Sequence, residues 1–257
     1  MDDVPILQFE APDGTSLAYR EVGEGRPFVL LHGFISSSEL NWLRWGTAQA
    51  IAARGHRVIL LDHRAHGDSE VPRDPSAYPP DVLADDAFAF LAHLGLADGG
   101  YDLGGYSMGG RTVVRMLVRG ARPRRAVVAG MGLVGLLDVE KSNARFERIF
   151  AGLGTWERKS PEWLVEAFLK QNGGDPEAMM LALRSSVDTT REELAAIEVP
   201  TLVVIGEDDV EHASADGLAE LLPHGRFATV AGNHLSAGTK PDLGRVIGDF
   251  LDEPAPA

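Results

Sequence analysis

The apolar positions of this chain come in short, dense runs separated by turn residues and by stretches of mixed polarity. Ile6–Glu10 and Ser16–Val22 alternate apolar with polar residues around Pro12-Asp13-Gly14, the pattern of an N-terminal hairpin. Phe28–His32, Arg57–Asp62, Asp102–Tyr106, Arg125–Gly130 and Thr201–Gly206 are almost wholly apolar, and Arg226–Ala231 is a weaker run of that kind. Such runs belong to strands covered on both faces, as in a parallel sheet. Between them lie helical patterns over Leu40–Arg54, Val82–Leu94, Met108–Gly120, Ala215–Leu222 and Leu243–Leu251. Strand alternating with helix predicts an α/β fold: a doubly wound, mostly parallel eight-stranded sheet with right-handed crossovers. In such sheets function gathers at the carboxyl ends of the strands.

One segment breaks the rhythm. From Gly132 to Glu198 there is no convincing strand, only helix starts at Ser160-Pro161-Glu162, Asp175-Pro176-Glu177 and Thr190-Arg191-Glu192-Glu193. Each has a capping residue or an N1 proline ahead of acidic residues. The expected organisation is a core of residues 1–131 and 199–257, with a small helical cap, 132–198, inserted after the sixth strand. Its aromatic and Met side chains mostly pack the cap itself, with Trp156 and Trp163 as candidates for substrate binding.

Composition changes this picture in a few places. At 257 residues the chain is long enough for one α/β domain with a large core. Its formal charge of −14 repels phosphate backbones and anionic membranes, so neither nucleic acid nor a membrane is an expected partner. The same charge disfavours highly anionic substrates unless a local pocket field overrides it. The absence of cysteine excludes disulfides, thiolate chemistry and Cys-based metal sites. Met1-Asp2-Asp3-Val4-Pro5 has no basic start leading into an apolar run, and no stretch approaches the roughly 18 apolar residues of a membrane span. The expectation is a cytoplasmic protein acting on a small molecule; a chain trimmed of its leader would read the same way. Oligomeric state is not legible.

The chemistry concentrates at Gly105-Tyr106-Ser107-Met108-Gly109-Gly110, which joins an expected strand to an expected helix. That is the context of a nucleophile elbow. A serine on so sharp a turn is strained, and side chains two residues to either side would collide, so Gly105 and Gly109 fit those places. Gly110 would let the helix approach the sheet closely. A serine hydroxyl needs a base, and the chain has eight histidines. The partners of an elbow serine follow it in the order acid, histidine, which leaves His212, His224 and His234. His234 stands just after the last strand run, where it can swing over the sheet's carboxyl edge. His224 precedes that run and belongs at the opposite end. His212 is expected to lie too close to the acid loop to serve.

Gly206-Glu207-Asp208-Asp209 follows the strand run Thr201–Gly206 and offers three carboxylates. Asp209 is favoured over Asp208 because three residues beyond the glycine give the chain room to turn. Glu207 and Glu211 read as a solvated acidic loop. The acid orients the imidazole and stabilises the imidazolium. His32-Gly33-Phe34 ends the first long run, and a turn at Gly33 would present the Phe34 N–H beside the serine. With the Met108 N–H it would complete a two-donor oxyanion hole. His32 itself reads as a structural hydrogen-bonding residue.

Gly130-Met131-Gly132-Leu133-Val134-Gly135 literally fits G-x-G-x-x-G. A dinucleotide site also needs a strand ending in an acidic residue about 20 residues on, and here a helical segment follows. There is no G-x-x-x-x-G-K-[ST] loop and no H-E-x-x-H pair, so no cofactor and no metal is expected.

Taken in order, His32-Gly33-Phe34, Asp62-His63-Arg64-Ala65-His66-Gly67-Asp68-Ser69, the elbow, Gly206…Asp209 and Gly232-Asn233-His234 resemble the α/β-hydrolase superfamily over nearly the whole chain. Members commonly carry Asp-x-Arg-Gly-His-Gly-x-Ser at the second of these positions; Ala65 replaces its first glycine here. The resemblance implies that the histidine-rich stretch is a structural turn rather than a metal site. It also implies acyl transfer by Ser107, His234 and Asp209 on a small carboxylic ester or lactone. Amidases, carbon–carbon bond hydrolases and cofactor-free perhydrolases share the arrangement, whereas haloalkane dehalogenases place aspartate at the elbow. A small apolar lobe favours a compact hydrophobic substrate over a polymer. Outside the enzymes, the same fold admits a ligand receptor that retains the triad, or a pseudo-enzyme.

Overall fold

The computed structural model describes residues 4–254; residues 1–3 and 255–257, which include the acidic start and the end of the Pro/Ala tail, lie outside them. Eight strands form one sheet: β1 (Leu7–Glu10), β2 (Ser16–Val22), β3 (Arg26–Leu31), β4 (His56–Leu61), β5 (Asp102–Tyr106), β6 (Ala126–Ala129), β7 (Thr201–Gly206) and β8 (Gly225–Val230). Their spatial order is β1-β2-β4-β3-β5-β6-β7-β8. β2 runs antiparallel to both its neighbours, and all pairings from β4 to β8 are parallel.

The helices are α1 (Thr47–Ala52), α2 (Val82–His93), α3 (Met108–Val118), α4 (Leu133–Leu137), α5 (Val139–Ala151), α6 (Pro161–Gln171), α7 (Pro176–Arg184), α8 (Arg191–Ala195), α9 (Ala215–Leu221) and α10 (Pro241–Leu251). Successive strand residues point to opposite faces. Val29, Leu31, Ile59, Leu61 and Leu103 therefore enter one core, under α2, α3 and α9. Phe28, Leu30, Val58, Leu60 and Val204 enter the other, under α1 and α10. Both faces are dry, which is why the central strands show no polar alternation. β8 is the edge of the parallel part of the sheet, with Phe227 44% accessible, and its run is accordingly more polar than those of the central strands.

One expected helix is two pieces. Leu40–Arg54 divides into a wide helical turn, Glu39–Leu43, and α1. Gly46 lies between them in the left-handed region at φ 80°, a conformation that interrupts a right-handed helix. The break lets Trp42 bury completely while Trp45 stays half exposed.

The segment between β6 and β7 is wholly helical. Its starts are capped as the sequence indicates: Ser160 and Asp175 accept backbone N–H groups ahead of an N1 proline, and Thr190 with Glu193 forms a capping box. Leu133 and Leu136 of α4, Leu194 of α8, and Ile197 and Val199 beyond it all pack into the sheet's own core. The part that forms a separate layer is thus narrower than 132–198. It is α5–α7, whose Ile149, Val165, Leu169 and Met179 pack on Ile35, Ala65, Leu83 and Met108 in a third apolar cluster. Among the described residues no helix is long and apolar enough to cross a membrane.

Candidate active site

Ser107 sits between the last residue of β5 and the first of α3, at φ 53°, ψ −113°. A side chain held at positive φ stores about 1–3 kcal/mol of strain that the surroundings must hold in place. Those surroundings are tight. A Cβ on Gly105 would stand 2.3 Å from the Gly109 carbonyl carbon, and one on Gly109 would stand 2.3 Å from the Leu31 carbonyl oxygen. The two glycines are what let the turn close against the end of β3.

The three separately predicted side chains come together at this turn. His234 Nε2 lies 3.1 Å from Ser107 Oγ, and His234 Nδ1 lies 3.0 Å from Asp209 Oδ2. His234 is held from behind by Tyr106, whose hydroxyl donates to the His234 carbonyl at 2.6 Å. Asp209 is buried at the end of β7 while Asp208 is exposed. Burial raises the Asp209 carboxyl, but hydrogen bonds from His212 and His234 outweigh it and hold the group well below the ordinary carboxylate range. It is therefore ionised at neutral pH. His224 stands before β8, at the opposite end of the sheet, its carbonyl accepting the Thr201 N–H.

His212 requires a correction. Its closeness to the acid loop does not exclude it from the site; it puts it there. Asp209 caps a short turn whose third residue is His212, so the His212 backbone N–H and Nδ1 both reach Asp209 Oδ1, each at 3.2 Å. The ring then stacks on His234 with centroids 4.5 Å apart and planes at 25°. Asp-x-x-His was the sequence signal, that of an aspartate capping its own turn. The ligand atoms of Asp209, His212 and His234 lie within 4.8 Å of one another, the one such group found among the described residues. A metal held there would take the Asp209 oxygens and His234 nitrogen that the chain to Ser107 uses.

A Cβ on Gly33, the residue before Phe34, would stand 3.4 Å from Ser107 Cβ, and Met108 follows the serine as the first residue of α3. The Gly33 N–H donates to Asn41 Oδ1 at 2.9 Å, which pins the turn after β3. Among the described residues, no protein group accepts the N–H of Phe34 or of Met108. The glycine-rich run 130–135 has a packing role: Gly130 is at φ 58°, and a Cβ there would come within 2.8 Å of the Tyr106 ring. The histidine-rich turn is held by the Asp62 carboxylate, which accepts the Ser38 N–H at 2.6 Å and the Asp68 N–H at 3.1 Å. His32 accepts the His63 N–H at 3.0 Å.

Two cavities meet at Ser107 and His234. One, of about 140 Å³, is lined by Leu40, Trp45, Leu164, Val165, Phe168 and Leu235. The other, of about 340 Å³, is lined by Arg111, Lys141, Ser142, Asn143 and Arg145. Phe34 and Phe146 border both, their rings meeting edge to face at 4.9 Å. Trp156 and Trp163 line neither, contrary to expectation. Trp156 donates its indole N–H to the Ile149 carbonyl at 3.0 Å and lies against Gly152. Trp163 belongs to the helix that lines the apolar cavity, but consecutive helical side chains diverge by about 100°, and the lining falls to Leu164, Val165 and Phe168.

Residues 26–171 match the alpha/beta hydrolase fold family, and the chain belongs to it as a hydrolase. It is 29% identical to a non-heme haloperoxidase of Rhodococcus erythropolis, over 77% of this chain and 80% of that one. It is 30% identical to the AB hydrolase superfamily protein YisY of Bacillus subtilis, over 76% of this chain and 78% of that one. Among solved structures, the esterase RhEst1 from Rhodococcus sp. ECU1013 superposes with a TM-score of 0.73 at 25% identity, covering 96% of this chain and 98% of that one.

Proposed function

We propose that this hydrolase cleaves a small carboxylic ester or lactone through an acyl-enzyme on Ser107. The observation that carries the reading is the chain from Ser107 Oγ through His234 to the buried, ionised Asp209, with links of 3.1 and 3.0 Å. Ser107 Oγ attacks the carbonyl carbon as His234 Nε2 takes its proton. Asp209 accepts the Nδ1–H, fixes the tautomer and balances the imidazolium. The carbonyl oxygen, now negative, turns toward the N–H groups of Phe34 and Met108, the latter at the positive end of α3. Collapse expels the alcohol with the proton from His234, and water activated by the same histidine releases the acid. The narrow apolar cavity supports a compact substrate, and the likeness to an esterase supports the bond type.

Hydrolysis of phenyl acetate and of a small lactone by the wild type and by Ser107→Ala tests this. The expected loss in kcat is about 10⁴-fold or more, and an undiminished rate in the variant overturns the proposal. The haloperoxidase relative supports a second reading on the same intermediate, in which hydrogen peroxide replaces water and releases a peracid. Peracid formation outpacing hydrolysis when peroxide is added would favour it.

A further inference from the structure

Arg111 lies four residues after Ser107 on α3, and its backbone N–H donates to the Ser107 carbonyl at 2.9 Å. Both side chains line the 340 Å³ cavity. Arg111 is 4% exposed. Its two Nη atoms donate only to neutral groups: Asn143 Oδ1 at 3.2 Å, Ser186 Oγ at 3.3 Å and Ser142 Oγ at 3.0 Å. Its Nε–H is buried with no partner. Among the described residues no carboxylate pairs with it; Asp188 acts only through its field.

The protein treats its comparably buried Arg64 differently. Arg64 is gripped by both oxygens of Asp86, at 2.6 and 2.7 Å, and by Asp13 at 2.8 Å. A buried cation without a counter-charge is a standing cost to the fold. Burial pushes Arg111 down to about 10, which leaves it charged at neutral pH. Lys141 adds positive charge to the same lining, and Arg145 borders both cavities. Glu211 is the carboxylate among them, and it is ion-paired with Arg145.

Building on the serine-hydrolase reading, we propose that the substrate carries a carboxylate that Arg111 receives, making half-esters of dicarboxylic acids, or the equivalent lactone acids, the preferred substrates. Arg111 lines the cavity with no carboxylate of its own, and a substrate carboxylate would take the Nη–H bonds now given to the neutral Ser142 and Asn143 oxygens of the same lining. The apolar remainder of the substrate lies in the opposite cavity, across Phe34 and Phe146. The surface charge of −14 works against anions in general, so the attraction has to come from this interior group.

The test compares ethyl hydrogen succinate, glutarate and adipate with the neutral primary amides of the same half-esters, read by pH-stat. The wild type should favour the acid over the amide in kcat/KM by about ten-fold or more for at least one chain length. Arg111→Met should bring that ratio down to about one, a loss of roughly ten-fold or more, and Arg111→Lys should restore part of it. Because the ratio is taken within one protein, partial misfolding lowers both rates and leaves it intact. Should Arg111→Met fail to fold, inhibition of wild-type phenyl acetate hydrolysis replaces it: adipate should compete more strongly than adipamide. Amides turned over as well as acids at every length, a ratio unmoved by Arg111→Met, or adipamide competing as well as adipate overturns the inference while leaving the hydrolase reading in place. Failure to turn over any ester, phenyl acetate included, removes both.

Discussion

Five of the eight histidines gather in two places with opposite electrostatics. His32, His63 and His66 are fully buried, with ring centroids 4.8 and 5.3 Å from His32. The nearby Asp62 is already held by Arg20 and by backbone N–H groups. Burial drives His66 down to about 3 and His63 well below its ordinary value. These rings stay neutral: His32 and His66 hydrogen-bond to backbone groups, while His63 only packs. His212 and His234 are partly exposed and stack over Asp209, each bonded to a different oxygen of its carboxylate. An imidazole carries protons usefully where a fixed carboxylate answers its charge; without one, the fold keeps it uncharged.

The largest test of that contrast is at the triad. His234→Ala and Asp209→Asn should each lower kcat/KM by about 10⁴-fold, the second because the imidazole loses its tautomer. A loss under ten-fold in the first would place the base elsewhere, and one under ten-fold in the second would place the orienting acid elsewhere. Stability should report the other cluster. Because the folded values of His63 and His66 lie below the unfolded value near 6.5, only the unfolded chain takes up protons as pH falls through 6.5. Their contribution is complete above that pH and is lost on acidification down to about 3, where His66 titrates in the fold. For His66 the loss between pH 7.5 and 5 is about 2 kcal/mol, and His63 adds to it in the same direction. Urea unfolding at pH 7.5, 6 and 5 should show it, and a flat profile would contradict it.

Smaller effects sharpen the same comparison. Neither ring nitrogen of His63 has a partner. His63→Leu should therefore shrink the acid-induced loss, a difference readable in the same unfolding series. His212→Phe keeps a ring beside His234 but removes one hydrogen bond to Asp209, and should cost about ten-fold in kcat/KM. Ala65→Gly relieves a positive φ of 65° but deletes a buried methyl and loosens the unfolded chain. Those terms nearly cancel, so calorimetry should find a change within about 1 kcal/mol.

Most of the framework could be read from the sequence because it rests on local necessity. Strands with two dry faces must be apolar throughout, and an elbow serine must have Gly105 and Gly109 around it, which brings an acid and a histidine from later strand ends. The parts that could not be read depend on what a residue meets across the fold. Trp163 and Leu164 have similar apolar character, and only the seating of α6 decides which lines the cavity. The helix break at Gly46 reflects the burial of Trp42, and the isolation of Arg111 is visible only once the partners of the other arginines are known. Nearness along the chain argues against His212 in the sequence, whereas the turn capped by Asp209 makes that nearness a contact.

The measurement that bears most directly on Ser107 is mass spectrometry of the intact protein and its peptides after exposure to a fluorophosphonate. One adduct per chain is expected, located at Ser107, absent in Ser107→Ala and formed far more slowly in His234→Ala. An adduct at another residue, or sustained ester hydrolysis by a protein that takes none, would contradict the assignment of Ser107 as the nucleophile.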